Sequence, residues 1–309
     1  MEIFPPGTRF DFIGKWRVFV GISCAAVLLS LVLLAAKGLN YGIDFTGGAL
    51  VQVLFREAKP ISEVREAMGR LTLGEVVIQN IGHDREFLIR VGKADEAVEA
   101  ERQITRGLEV RFGKGVFEIR RAEMVGPQVG HDLRRKALFS VLLGWLAMLI
   151  YVGFRFRFIQ GVAAIVALVH DVIITLGVYA LSGKEFNLPT VAAILTIIGY
   201  SINDTIVIFD RIRENVRLAG RLGYAELINT SINQTLSRTI LTTAVTMLSV
   251  LAVLFLGGEL IADVAFALVV GMIAGTYSTV YVAGPILLLW HSTVGARPAR
   301  NKKRAAARP

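Results

Sequence analysis

Six long runs of apolar residues divide the chain, and each is long enough to form a helix that crosses a membrane. A helix rises about 1.5 Å per residue, so about 20 residues cover the ~30 Å hydrocarbon core of a bilayer. The predicted spans are Val18–Ala36, Ala137–Phe154, Phe158–Leu181, Leu188–Phe209, Thr239–Leu256 and Val264–Trp290. The first apolar stretch exceeds the ~7–15 residues of a cleaved signal peptide, which predicts a retained signal-anchor.

Between the first two spans the hydrophobic pattern changes and predicts a separate folded domain at residues 37–136. Strands are predicted at Ala49–Arg56, Glu75–Ile81, Glu86–Val91 and Val116–Val125, and helices at Ile61–Leu71 and Asp95–Phe112, with a turn at Gly82–Arg85. The order β-α-β-β-α-β is typical of a ferredoxin-like α+β domain. We therefore expect an α-helical membrane protein with six transmembrane helices and one ferredoxin-like domain between helices one and two.

The distribution of charge agrees with this division. Charged residues make up 19% of the chain, below the ~25% that is usual for soluble proteins. Of the 25 acidic residues, 15 lie between Gly38 and Lys136, in about a third of the length. A charged domain embedded in an apolar chain explains the composition better than an ordinary soluble enzyme does.

Lysine and arginine in the short loops predict the orientation of the spans. Basic residues precede span one, separate spans two and three, and follow spans four and six, all on the same side of a six-span protein. The positive-inside rule makes that side cytoplasmic. We expect both the N-terminus (1–17) and the basic tail (291–309) in the cytoplasm of a bacterium, residues 37–136 in the periplasm, and the spans in the inner membrane. The helix Phe209–Gly220 and the polar run Asn229–Arg238 are expected to form the largest cytoplasmic loop.

Several classes of function find no support in the sequence. Cys24 is the single cysteine, and the four histidines show no H-x-x-x-H spacing, so no disulfide, metal site or cofactor is predicted. The phosphate-binding pattern G-x-x-x-x-G-K-[ST] does not occur, so this chain is not expected to be an enzyme that hydrolyses nucleotides. The net charge of +9 fits membrane topology, and nucleic-acid binding is not predicted.

Two acidic residues inside apolar spans are the main candidates for chemistry. A charge at the bilayer centre costs at least ~2.5–3.5 kcal/mol, so Asp171 in span three and Asp204 in span four are functional candidates by default. Asp204 is flanked by polar residues that could hydrogen-bond it, namely Ser201, Asn203 and Thr205. His170 is adjacent to Asp171, but neighbouring residues on a helix face different directions. Asp171 could equally be a packing residue that hydrogen-bonds between helices.

The estimated depth of residues along the spans adds Arg238 to the candidates. At ~1.5 Å per residue, Asp171 lies about 15 Å, Asp204 about 24 Å and Arg238 about 27 Å below the exported ends of their spans. A carboxylate that meets a guanidinium when ionised, and loses it when protonated, is a minimal proton switch. Asp204 and Arg238 are the predicted switch, with Asp171 as a further candidate. The alternative for Arg238 is an interfacial arginine that only sets topology.

Glycine-rich elements border the predicted domain on both sides. One follows span one and contains Gly42, Asp44, Gly47 and Gly48, and the other precedes span two and contains Gly126, Pro127 and Gly130. Their composition predicts turns or hinges between the domain and the membrane. In span six, Gly271 and Gly275 form a G-x-x-x-G pattern, which favours close helix packing.

Four of these segments together resemble the SecD/SecF family, in its SecF branch. They are YGIDFTGG at 41–48, VGPQVG at 125–130, ALVHDVIIT at 167–175 and GYSINDTIVIFDRIREN at 199–215. The resemblance covers essentially the whole chain. It implies an accessory subunit of the Sec protein-export machinery, within the resistance-nodulation-division superfamily, that uses the proton motive force.

The resemblance also implies partners and roles. SecD would supply a second six-helix half, and the pair would act with the SecYEG channel and a translocating preprotein in a lipid membrane. The functional aspartate of the family falls on Asp204 and its functional arginine on Arg238; proton and sodium coupling both stay open. The chain shows no internal repeat, so a second half must come from another polypeptide.

Two other functions compete with this expectation. A proton-driven exporter of small molecules or lipids would belong to the same superfamily but would need a homodimer or a different second half. A scaffold that only stabilises the channel would tolerate uncharged substitutions at Asp204 and Arg238.

Overall fold

The computed structural model describes residues 9–69, 71, 76–81, 84–92, 97–218, 223–257 and 259–295. In chain order the elements are α1 (Trp16–Ala36), β1 (Asn40–Tyr41), α2 (Ile43–Thr46), β2 (Gly48–Phe55), α3 (Ile61–Met68), β3 (Val76–Asn80), β4 (Glu86–Val91), α4 (Ala97–Phe112), β5 (Phe117–Val125), α5 (Pro127–Arg155), α6 (Phe158–Ser182), β6 (Glu185–Phe186), α7 (Leu188–Leu218), α8 (Tyr224–Leu256), α9 (Glu259–Ser278) and α10 (Gly284–Trp290). Two π-helical turns follow α9 and α10, at Thr279–Ala283 and His291–Gly295.

The chain divides into two compact units. The first contains the residues up to Leu39, Leu143–Lys184 and the residues from Ala192 onward, and the second contains Asn40–Leu142 with Glu185–Val191. The second unit is discontinuous in sequence, because the short segment Glu185–Val191, between α6 and the body of α7, groups with it.

Six helices in the described part of the chain are long and apolar enough to cross a membrane, which confirms the predicted number of spans. Their bounds are Trp16–Ala36, Gln128–Arg155, Phe158–Ser182, Leu188–Leu218, Tyr224–Leu256 and Ile261–Thr293. The helix predicted at Phe209–Gly220 is part of α7 as far as Leu218, and the polar run Asn229–Arg238 lies inside α8. Residues 219–222 lie outside the described residues. The predicted loop is therefore mostly helical, because arginine, glutamate and glutamine there continue a helix readily beyond its apolar part.

Within the first unit, α6 and α7 form the interior of the helix bundle. About half of the apolar window of each is buried (50% and 56%), against 11% for α1 and 6% for α8. Small residues on α6 allow this, since Ala163, Ala164 and Ala167 are almost fully buried and let neighbouring backbones approach. Several polar side chains on these two helices, Asp171, Ser201 and Asp204 among them, are thereby buried inside the bundle.

The second unit is built on a four-stranded antiparallel sheet in the order β3-β4-β2-β5. Its elements run β2-α3-β3-β4-α4-β5, which is the predicted order of strands and helices. Alternate residues of β4 are buried, as expected for a strand with one covered face. Helices α3 and α4 contribute to that core, in which Val53, Phe87 and Ile104 are fully enclosed.

The glycine-rich elements differ from simple turns. Residues Ile43–Thr46 form a single helical turn, and α5 begins at Pro127, so the second predicted turn is confined to Gly126. Proline suits the first position of a helix because the N–H it lacks would have no partner there. Residues 82 and 83 of another predicted turn, residues 1–8 and the tail from 296 lie outside the described residues.

Candidate functional site

Among the residues of the first unit whose burial the structure describes, two carboxylates are buried, and they lie on its two interior helices. Asp171 on α6 is 1% exposed and Asp204 on α7 is 4% exposed. Burial of an ionised carboxylate is costly unless hydrogen bonds or a cation compensate it. The partners of each group therefore decide what it can do.

Asp171 contacts polar side chains on three helices. Its Oδ2 accepts from the hydroxyls of Ser201 on α7 (2.6 Å) and Ser278 on α9 (2.9 Å). Its Oδ1 lies 2.9 Å from Nδ1 of His170 on its own helix. The expectation that His170 faces away from Asp171 is wrong, because rotation of both side chains closes the gap between adjacent residues. Asp171 thus ties α6, α7 and α9 together.

His170 extends this group towards another ring. It is 5% exposed, and its ring stacks at 6.1 Å on Tyr277 of α9. The Tyr277 hydroxyl donates to the carbonyl of Phe19 on α1 (2.8 Å) and lies 3.2 Å from the hydroxyl of Ser23. Among the described residues His170 Nε2 has no hydrogen-bond partner. The polar interior therefore reaches from α7 through α6 and α9 to α1.

Asp204 has the opposite environment. Its Oδ2 is buried and accepts no hydrogen bond from any residue that the structure describes. The polar neighbours expected to bond it do not: Ser201 bonds Asp171, Thr205 bonds the Ser201 carbonyl and Thr279, and Asn203 is exposed. Residues 201 and 205 lie one helical turn apart and face α6 and α9, so Asp204 projects in a different direction.

Arg238 lies on α8 and is exposed. Its charge acts on Asp204, but the two residues form no ion pair, and within the described ranges Arg238 has no carboxylate partner at all. The structure therefore places the predicted switch residues within electrostatic range of each other without joining them. An uncompensated buried carboxylate near a free guanidinium can exchange a proton for the cation.

Close packing around these groups depends on glycine. A Cβ on Gly271 of α9 would meet Ile197 of α7 at 2.3 Å, and one on Gly275 would meet Ser201 at 3.0 Å. The G-x-x-x-G pattern does mark a close helix contact, as predicted. A comparable contact that the sequence did not suggest joins α1 and α6, where a Cβ on Gly177 would lie 2.3 Å from Ser30.

The residues of the glycine-rich elements lie in the second unit and are packed there. Gly47 and Gly48 have φ of +70° and +114°, which only glycine adopts readily, and a Cβ on Gly48 would meet the Val91 carbonyl at 2.3 Å. A Cβ on Gly130 of α5 would lie 2.9 Å from the Gly47 nitrogen. The Gly42 N–H donates to the Phe186 carbonyl (2.9 Å), and Asp44 accepts from the Leu188 N–H (2.9 Å). A hinge role for these residues stays a prediction.

Sequence reasoning missed Ser278, Thr279 and Tyr277 as part of the buried polar group. A polar triplet inside the apolar run of span six was the available signal. No group of three or more His, Cys, Asp or Glu side chains placed to hold a metal ion occurs in the described ranges.

Comparisons with known proteins give a consistent picture. A family model described as "Protein export membrane protein SecD/SecF, C-terminal" matches residues 109–293, and the "SecD/SecF GG Motif" matches residues 32–59, which include Gly47 and Gly48. A protein translocase subunit SecF of Calditerrivibrio nitroreducens is 44% identical over 293 residues, covering 94% of this chain and 96% of that protein. A SecF of Desulfurispirillum indicum is 45% identical over 292 residues, covering 91% of this chain and 93% of the relative.

Solved structures resemble the chain as well. The crystal structure of SecDF, a translocon-associated membrane protein from Thermus thermophilus, has a TM-score of 0.84 at 42% identity and matches 94% of this chain. SecDF in its super-membrane-facing form has a TM-score of 0.70 at 40% identity. The chain spans 40% of the first of these chains and 41% of the second.

Proposed function

Because the chain belongs to the SecD/SecF family of protein export membrane proteins, we propose that it is an accessory subunit of the Sec machinery that acts with SecD. It uses the proton motive force to complete preprotein translocation across the bacterial inner membrane. The chain itself hydrolyses no nucleotide, and the free energy comes from the ion gradient. The observation that carries this proposal is the buried Oδ2 of Asp204, which has no hydrogen-bond partner among the residues that the structure describes and lies in the electrostatic range of Arg238.

The mechanism follows from the free-energy cost of burying the ionised Asp204 carboxylate where no described residue donates a hydrogen bond to its Oδ2. Ionised Asp204 is attracted to Arg238, which draws α7 and α8 towards each other at this level. A proton on Asp204 removes the charge, weakens the attraction and lets the two helices repack. Repeated protonation from one side and release to the other converts the gradient into movement. Asp171, with its three hydrogen bonds, keeps α7 registered against α6 and α9 during this exchange.

SecD supplies the second half of the helix bundle. The similarity to SecDF chains, of which this chain matches about two fifths, supports this assignment. The exposure of Asn203 and Arg238 supports it further, because polar groups on a membrane-spanning helix favour a protein or water contact over lipid. SecYEG and the translocating preprotein are the other proposed partners, with membrane lipid around the outer faces.

Residues 37–136 form a periplasmic, ferredoxin-like domain in this proposal. The strand order β3-β4-β2-β5 and the element order described above support the fold, and the excess of basic residues in the opposite loops supports the compartment. This domain contacts the preprotein as it emerges. Both termini, including residues 1–17 and 291–309, lie in the cytoplasm.

Replacement of Asp204 tests the proposal directly. We expect Asp204→Asn to accumulate with SecD and to lose the part of preprotein export that a proton gradient adds, because the amide cannot exchange a proton. The measurement is export into inner-membrane vesicles with ATP, with and without a protonophore. Asp210→Asn is the matched control on the same helix, since Asp210 is exposed and paired with Arg155. Normal gradient-dependent export by Asp204→Asn would reject the proposal.

Arg238 provides a second measurement in the same assay. We expect Arg238→Met to lose the gradient-dependent increment and Arg238→Lys to retain most of it, because lysine preserves the positive charge that attracts Asp204. Wild-type gradient-dependent export by Arg238→Met would contradict a role for Arg238 in the switch.

A further inference from the structure

A buried ion pair in the second unit joins segments that are far apart in the sequence. Arg90 on β4 contacts Glu185 on β6, and their side chains are only 11% and 14% exposed. The Arg121–Glu123 pair in the same unit lies on one strand and is more open, with side chains 30% and 44% exposed. Breaking a buried pair leaves an uncompensated charge, so this pair matters more than a surface one.

Arg90 also holds the segment that follows α1. Its Nη1 donates to the Tyr41 carbonyl (2.9 Å) and to the side chain of Asn40 (3.3 Å), both on β1. Burial lowers the pKa of the Arg90 guanidinium from its ordinary value, but arginine remains charged in proteins. A single side chain of the four-stranded sheet thus contacts both strands of the small β1–β6 sheet.

The small β1–β6 sheet is itself short. Strands β1 and β6 are parallel and contain two residues each, a length that is marginal for a sheet by itself. Phe45 stacks on Phe186 at 5.9 Å, and Asp44 accepts from the N–H of Leu188 at the first residue of α7. We call Arg90, Glu185 and the β1–β6 pair the clasp. All of the clasp lies within the unit that contains Asn40–Leu142 and Glu185–Val191.

Helix α7 connects the clasp to Asp204. It begins at Leu188, three residues after Glu185, and carries Asp204 sixteen residues later in the same unbroken helix. At about 1.5 Å per residue, the start of α7 and Asp204 are about 24 Å apart. A movement at one end of a continuous helix is transmitted to the other end.

We propose that Arg90 and Glu185 are positioning residues that fasten the start of α7 to the four-stranded domain and thereby couple that domain to Asp204. This inference rests on the proposed function. The clasp stays closed through the cycle, so that protonation of Asp204 and movement of the domain are parts of one motion. Nothing in the clasp touches the proton itself.

The test uses the full chain with SecD and SecYEG in inner-membrane vesicles. We expect Arg90→Met and Glu185→Gln to lose most of the gradient-dependent increment of export while export without a gradient stays near wild type. A general folding defect would lower both components. The double charge exchange Arg90→Glu with Glu185→Arg should export more than either single reversal. Arg121→Met, in the same sheet, is the matched control and should behave as wild type.

A covalent substitute for the ion pair separates coupling from folding. In a Cys24→Ser background, Arg90→Cys with Glu185→Cys is joined by a short bismaleimide, with N-ethylmaleimide as the reagent that modifies but does not join. We expect the gradient-dependent increment to return with the bismaleimide only. Wild-type export by the uncharged variants, or no return on cross-linking, would overturn the inference. Failure of all clasp variants to accumulate with SecD would also overturn it, since the pair would then serve folding alone.

Asp204→Asn is measured in parallel and keeps the two proposals distinguishable. Loss of the increment in Asp204→Asn with normal export by the clasp variants would reject the clasp and leave the proposed function intact. Normal export by Asp204→Asn would reject the proposed function itself.

Discussion

Asp171 and Asp204 are buried to nearly the same extent, yet their surroundings are opposite. Asp171 receives hydrogen bonds from two serine hydroxyls and contacts an imidazole, on three helices in all. Asp204 has an oxygen with no hydrogen-bond partner in the part of the chain that the structure describes. Burial alone therefore does not distinguish the two carboxylates, whereas the supply of hydrogen-bond donors does.

The difference has a simple physical meaning. Three donors stabilise the charged form of Asp171, so that group is a fixed acceptor around which the helices are arranged. Asp204 can lower its free energy only by taking a proton or by attracting Arg238. In the proposed mechanism Asp204 changes its protonation state in each cycle, and fixed donors would oppose that change by stabilising the charged form. The following predictions test this comparison, from the largest expected effect to the smallest.

Removal of Asp171 should destabilise the protein most. Asp171→Ala removes the partner of the buried Ser201 hydroxyl and of His170 Nδ1, and leaves Ser278 with only the Gly275 carbonyl, so we expect a loss of about 3–5 kcal/mol in unfolding free energy. Thermal unfolding of the purified complex in detergent measures the loss. Asp210→Ala, which removes an exposed ion pair, should cost about 0–1 kcal/mol. Equal stability of these two variants would contradict the structural role of Asp171.

Removal of one donor to Asp171 should have an intermediate effect. Ser278→Ala deletes one hydrogen bond to a charged acceptor, and we expect a loss of about 1.5–3 kcal/mol. Ser249→Ala is the control, because that hydroxyl is exposed and bonds only the Val245 carbonyl one turn earlier. The same unfolding experiment compares them, and an equally small loss in both would show that Asp171 does not need Ser278.

Neutralisation of Asp204 should change stability least. Asp204→Asn removes an uncompensated buried charge, so we expect unfolding free energy to stay within about 1 kcal/mol of wild type or to rise, at the cost of activity. Thermal unfolding beside Asp171→Asn makes the comparison direct. A loss in Asp204→Asn as large as that in Asp171→Asn would break the distinction between the two carboxylates.

The fold was largely predictable because its signals are local and periodic. Six apolar runs and the alternating pattern between the first two gave the spans and the order of strands and helices. Helix ends were predicted less well. Helix α5 begins at Pro127 and α7 continues to Leu218, because polar residues with good helix propensity extend a helix beyond its apolar part.

The site was predictable only in its acidic residues. Aspartates in apolar runs stand out in any sequence, so Asp171 and Asp204 were found. Which of them had partners depended on Ser278, more than a hundred residues from Asp171, and on the rotation of α7 that turns Ser201 away from Asp204. The ion pair of Arg90 with Glu185 also joins distant segments, and no spacing rule reveals it.

The π-helical turn at Thr279–Ala283 lies immediately after Ser278, in the sixth span. Such a turn accommodates one more residue than an α-helical turn would. The residues beyond it are rotated by about 100° relative to an uninterrupted α-helix, because each residue of an α-helix turns the chain by that angle. The extra residue therefore sets which face the end of the sixth span presents to its neighbours, while Ser278, which precedes the turn, bonds Asp171.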